Sequence, residues 1–173
     1  MRRWFLPLLI GLLLAVFAQQ ATLLATPRLL MAVAHHRLVQ MGGVDHMTAV
    51  PLITYRSRMI VRPSPDLAYS TCPFDLSNGP ILVEAMPAPS PYWSVSVFDA
   101  RTDSAFVRNN RDSANRPIRF VVALPDQPVP SGIEAVRIDT DRGVAVIRIL
   151  VEDRARFARL DRVRRASRCG RIG

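Results

Sequence analysis

Lysine is missing from this chain: all 23 basic residues are arginine, set against 14 acidic ones. Histidine is scarce. His35, His36 and His46 are the whole complement, and no two fall four residues apart as a helix-borne zinc pair requires. The glycines build neither a Gly-x-Ser-x-Gly elbow nor a phosphate-cradling loop, so the common serine-hydrolase and nucleotide-binding signatures are excluded. The two cysteines, Cys72 and Cys169, make no Cys-x-x-Cys motif, which leaves a redox or zinc-ribbon role without support. There is no internal repeat and no low-complexity segment. Together these gaps set the expectation of a protein with no metal, no cofactor and no catalytic machinery.

What the chain does have stands at its start. Arg2 and Arg3 precede an uncharged run over residues 4–27 rich in Leu, Ile, Val, Phe and Trp. A bilayer-crossing helix needs about 20 mostly apolar residues, and this run supplies them. A cleaved secretory signal is the competing reading, with Val16-Phe17-Ala18 as its small-residue site. Apolar character continues past Gln19 and Gln20 through Leu23, Leu24 and then Leu29, which favours a retained anchor. Arg2 and Arg3 before the span place the N-terminus in the cytoplasm and export the rest of the chain, although Arg28 and Arg37 weaken the asymmetry.

Charge is uneven along the chain. Residues 1–58 carry six Arg and one Asp, and residues 151–173 carry eight Arg and three acids, a net of +5 in each; residues 59–150 balance nine Arg against ten acids. A nucleic-acid module concentrates positive charge on its folded body, so this distribution argues against nucleic acid. Basic ends suit a protein close to anionic head groups, and a solvated Arg-rich tail is the plainer alternative.

A short helix is expected over residues 27–41. Thr26 can cap it, Pro27 suits its first turn, and Gly42-Gly43 ends it, unless the segment simply prolongs the membrane helix. Beyond residue 54 the periodicity changes to two. Residues 92–98 and 118–124 alternate, 144–151 reads as a buried strand, and 80–86 and 67–72 are weaker strands. Asp141-Arg142-Gly143 is a turn signal expected to join residues 135–139 to 143–151 as a hairpin. Proline clusters at 63–65, 87–91 and 128–130 mark loops. A helix is expected over 152–166, with acids at its start and Arg at its end.

The expected fold is therefore mainly β. It is a single antiparallel β-sandwich-like domain with an N-terminal transmembrane helix and a C-terminal helix. Its parts are a transmembrane signal-anchor (1–27), a juxtamembrane helix and linker (28–53), the β domain (54–151), and a C-terminal helix with an Arg-rich tail (152–173). In an exported domain Cys72 and Cys169 can pair as a disulfide, the alternative being two separate thiols. Asp66, Asp75, Asp99 and Asp103 fall near strand ends, where aspartate more often closes an Asx turn than performs acid–base chemistry.

One stretch carries a resemblance. Arg62-Pro63-Ser64-Pro65-Asp66-Leu67-Ala68-Tyr69-Ser70 is followed by Asp75-Leu76, by Gly79-Pro80, and by a strand from Tyr92-Trp93 to Asp99. In order and spacing this resembles the bacterial domain of unknown function 1254 family, over roughly residues 45–150. The family's Asn after Arg-Pro is Ser64 here, with Pro65 following. Members commonly carry a second domain, of unknown function 1214, which this chain is too short to hold. The resemblance thus implies a stand-alone, membrane-anchored version with a possible separately encoded second-domain protein as partner. With the span and the Arg2-Arg3 asymmetry, the expected location is a single pass through a bacterial inner membrane with the C-terminal domain in the periplasm. The resemblance supplies no activity.

Arg62, Asp66 and Tyr69 lie close enough in sequence to form one polar constellation. They are read first as a network that fixes a loop, and alternatively as a pocket in which Arg62 holds an anionic or carbohydrate-like ligand. The function expected is a membrane-anchored, envelope-facing assembly or binding component without catalysis. The alternative is a small envelope enzyme or ligand-binding protein with its site around Arg62, Asp66 and Tyr69.

Overall fold

The computed structural model describes residues 2–54 and 63–172. The first element is one unbroken helix, α1 (Arg2–Gly42), with Pro7 and Pro27 inside it. The segment before Gly42-Gly43 therefore prolongs the apolar helix rather than starting a new one. Gly43 closes it with a positive φ of 89° and donates its N–H to the Val39 carbonyl at 2.8 Å, a left-handed cap that favours glycine.

Among the described residues nine strands follow: β1 (Thr48–Ala49), β2 (Leu67–Asp75), β3 (Ile81–Ala85), β4 (Trp93–Asp99), β5 (Ser104–Asn109), β6 (Ile118–Ala123), β7 (Glu134–Arg137), β8 (Arg142–Leu150) and β9 (Arg168–Arg171). The short helix α2 (Phe157–Arg164) lies between β8 and β9. One sheet has the order β1-β2-β8-β4-β5 and the other β7-β6-β3-β9. The molecule is mainly β, with a long apolar helix at its N-terminus and a short helix near its C-terminus.

The two sheets enclose a core whose largest members are Trp93, Phe74, Phe120, Leu76, Ile81 and Ile147. Alternation explains the inward set on β4, where Trp93, Val95 and Val97 are sealed. Ser94 and Ser96, on its other face, are buried as well. Arg148 covers that face, donating to Ser96 Oγ at 3.2 Å and lying over the Phe98 ring. Gly143 is dictated by close approach, because a Cβ there would meet the Phe98 carbonyl oxygen at 2.3 Å and the Phe74 ring at 2.5 Å.

Two expectations are corrected. Residues 134–137 do not form a hairpin with β8; β7 pairs in parallel with β6 in the opposite sheet. Asp141-Arg142-Gly143 thus belongs to a crossover between sheets, and Ile138 inserts its side chain into the core on the way. The end of the chain is not wholly a tail either, since Arg168–Arg171 pairs with β3 as an edge strand. The C-terminal helix is also shorter than its composition suggests: Asp153 caps a single 3-10 turn, Arg154–Arg156, that leads into α2.

Cys72 on β2 and Cys169 on β9 are bonded, with Cα atoms 6.4 Å apart, across 97 residues of chain. The bond links the two sheets at their covered faces, Cys72 being fully buried.

Candidate functional site

Arg62 lies outside the described residues, so the Arg62–Asp66–Tyr69 constellation is described only through its other two members. The Tyr69 hydroxyl accepts the Ser64 N–H at 3.0 Å, and the Asp66 carbonyl accepts the Val151 N–H at 2.8 Å. Both contacts anchor the approach of the chain into β2. Two of the strand-end aspartates, Asp75 and Asp99, close turns. Asp75 caps the 3-10 turn Leu76–Asn78 by accepting the Ser77 N–H at 3.0 Å and the Ser77 hydroxyl, and it pairs with Arg142 at 3.0 Å. Those bonds, the Ser77 hydroxyl foremost, hold its carboxyl at about 2. Asp99 is almost sealed from water and accepts the backbone N–H groups of Arg101 (2.7 Å) and Asp103 (2.9 Å).

A buried arginine, invisible to the sequence reading, organises the opposite end of the sandwich. Arg164 on α2 is 1% exposed. Its guanidinium donates to the Tyr69 carbonyl at 2.6 Å, the Val50 carbonyl at 2.9 Å and the Asp161 carboxylate at 2.7 Å, and it stacks over Phe157. Burial pushes the Asp161 carboxyl up, but hydrogen bonds from Arg165 and Arg164 outweigh it and the group sits below the ordinary range. One signal was present in sequence: Asp161, Arg164 and Arg165 stand at i, i+3 and i+4.

A concavity of about 680 Å³ lies where α1 meets the sandwich. Residues 4–26 of α1 are exposed all round, whereas from Pro27 onward half-buried positions recur at 27, 31, 34, 35, 38, 39 and 42. That three-to-four spacing is the mark of a helix laid along a surface. It presents Arg28, Met31, Ala32, His35 and Val39 to the cleft, and the facing wall comes from Asp75, Arg101, Asp141, Arg142 and Arg171. His35 donates from Nε2 to the Phe74 carbonyl at 3.1 Å, tying the helix to the end of β2.

Asp45, just beyond the cap, secures the same joint. Its carboxylate accepts the Asp75 N–H at 2.9 Å and pairs with Arg171 at 2.8 Å, so one side chain grips both sheets. Its positive φ of 56° is a conformation that aspartate tolerates better than most residues. Among the described residues, no three His, Cys, Asp or Glu side chains gather as a metal site.

The profile of a protein of unknown function, DUF1254, matches residues 44–171, which is the whole sandwich with α2 and β9. The chain belongs to the DUF1254 family. Its fold recurs in a crystal structure of the VPA0106 protein from Vibrio parahaemolyticus, at TM-score 0.65 and 16% identity, over 86% of this chain and 36% of that one. It recurs again in a putative uncharacterized protein from Burkholderia cenocepacia, at TM-score 0.50 and 14% identity, over 90% of this chain and 42% of that one. At such identities the likeness is one of fold. This DUF1254 chain spans well under half the length of either protein. No curated protein matches it.

Proposed function

We propose that this DUF1254 chain is a single-pass, membrane-anchored component of the bacterial envelope, with its sandwich in the periplasm, which binds or assembles with a partner and performs no catalysis itself. One observation carries the reading. α1 divides at Pro27 into a wholly exposed apolar part, residues 4–26, and a part docked along the sandwich. At 1.5 Å per residue the exposed part is about 35 Å long, enough for a hydrocarbon core of about 30 Å. Docking of the second part through His35 and Asp45 makes the helix a rigid post rather than a leash.

Further support is chemical. The Cys72–Cys169 bond suits an oxidising compartment. The aspartates best placed for acid–base work, Asp75 and Asp99, are occupied by turns and arginines. The partner proposed is a separately encoded envelope protein. Affinity purification of the tagged chain from detergent-solubilised membranes tests this. One envelope protein should be recovered in stoichiometric amount, and a solitary monomer would contradict the assembly reading.

A further inference from the structure

We infer that the cleft between α1 and the sandwich is a binding site for one anionic phospholipid of the membrane in which the chain is anchored. The inference rests on the anchored reading above and adds an occupant to it. Position is the first ground. Arg28 stands two residues past the exposed apolar segment, so the cleft opens at the level where hydrocarbon gives way to head groups. The cleft is also amphipathic. Met31, Ala32, Val39 and Val44 offer apolar surface, continuous along α1 with the span, while the sandwich wall is polar. An occupant with an acyl chain and a charged head matches both walls, and the adjacent bilayer supplies such molecules.

Charge narrows the head group. Three of the four arginines in the cleft are already held by carboxylates: Arg142 by Asp75 at 3.0 Å, Arg101 by Asp99 at 3.1 Å and Arg171 by Asp45 at 2.8 Å. Arg28 is different. Its guanidinium donates to the Leu24 carbonyl of its own helix at 2.6 Å, and among the described residues it has no acidic partner. A guanidinium with donors to spare is suited to a phosphate. A polyanion would meet the carboxylates of Asp75 and Asp141, so the site takes one phosphodiester charge.

The test uses the full chain in phosphatidylcholine nanodiscs containing a minor share of phosphatidylglycerol, with lipid retained after mild detergent release counted by native mass spectrometry. Wild type should retain one phosphatidylglycerol in preference to phosphatidylcholine. Arg28→Gln should lower that retention about tenfold, the worth of one charge-assisted hydrogen bond. Met31→Asp, placed on the apolar wall, should lower it as well. The Arg159→Gln/Arg162→Gln pair, on exposed positions of α2, should leave it unchanged. Equal retention of the two lipids, unchanged retention in Arg28→Gln, or equal loss in the α2 pair would overturn the site. Displacement of the lipid by inorganic phosphate alone would identify a soluble ligand and overturn the lipid. Carbonate extraction of cell membranes carrying the full chain separates the two readings. An anchored chain without lipid preference refutes the cleft alone, whereas a chain released by carbonate refutes the anchor and the cleft together.

Discussion

Arg164 shows how one side chain can hold three segments. Its guanidinium serves the Val50 carbonyl, the Tyr69 carbonyl and the Asp161 carboxylate with almost no access to water. Arg164→Met would leave those acceptors without their donor in a dry setting, and a loss of about 3 kcal/mol in urea unfolding is expected. Arg164→Lys should recover only part of it, since an ammonium cannot reproduce the planar fork. Asp75 makes a second residue-scale prediction. Its carboxyl is lowered from 3.8 to about 2 in the folded chain, so its contribution to stability is present above about pH 4 and disappears as pH falls toward 2. In an acid titration followed by circular dichroism, Asp75→Asn should lose stability at neutral pH and show a shallower decline across that window. Aspartates at strand ends were legible as turn residues because their backbone partners lie two to four positions away. Arg164 was not, because its acceptors on Val50 and Tyr69 are some 100 positions distant and backbone carbonyls leave no mark in a sequence.

Among the elements, the strands with strict alternation or continuous apolar character, β4, β6 and β8, could be placed from sequence alone. β5 could not, since it is an edge strand with an exposed, polar pattern and Val107 facing water. β9 escaped for a related reason: Arg168–Arg171 has the composition of a tail and becomes a strand only because β3 offers an open edge. The disulfide joins that strand to β2 in the other sheet. Closing 97 residues, it should constrain the unfolded chain by about 4–5 kcal/mol on the loop-entropy view. The Cys72→Ala/Cys169→Ala double variant should accordingly show a lower urea midpoint. An unchanged midpoint would mean that β9 is held by its backbone pairing alone. The β7–β8 hairpin failed because a turn motif fixes a local reversal but not the sheet to which each arm returns.

Across the whole molecule, the docked part of α1 and the helix α2 lie at different ends of the sandwich. β2 and β8 run side by side from the Leu67–Leu150 pair to the Asp75–Arg142 pair, about 27 Å at the usual rise per residue. α1 meets the second end through His35, and α2 packs near the first through Arg164 and Leu160. In the proposed anchored orientation, proximity to anionic head groups would account for Arg28 and Arg171, which line the same cleft, but not for the arginines of α2. On the proposed anchoring those would face away from the membrane, where an acidic surface on the proposed partner would meet them. Reversing Arg159 and Arg162 to Glu should weaken partner recovery while leaving the chain in the membrane fraction. The measurement closest to the central claim is protease protection of the intact chain in spheroplasts, combined with carbonate extraction. A chain that resists carbonate and loses its sandwich to protease added outside is the expected result. Release by carbonate, or a sandwich degraded only after the membrane is opened, would contradict it.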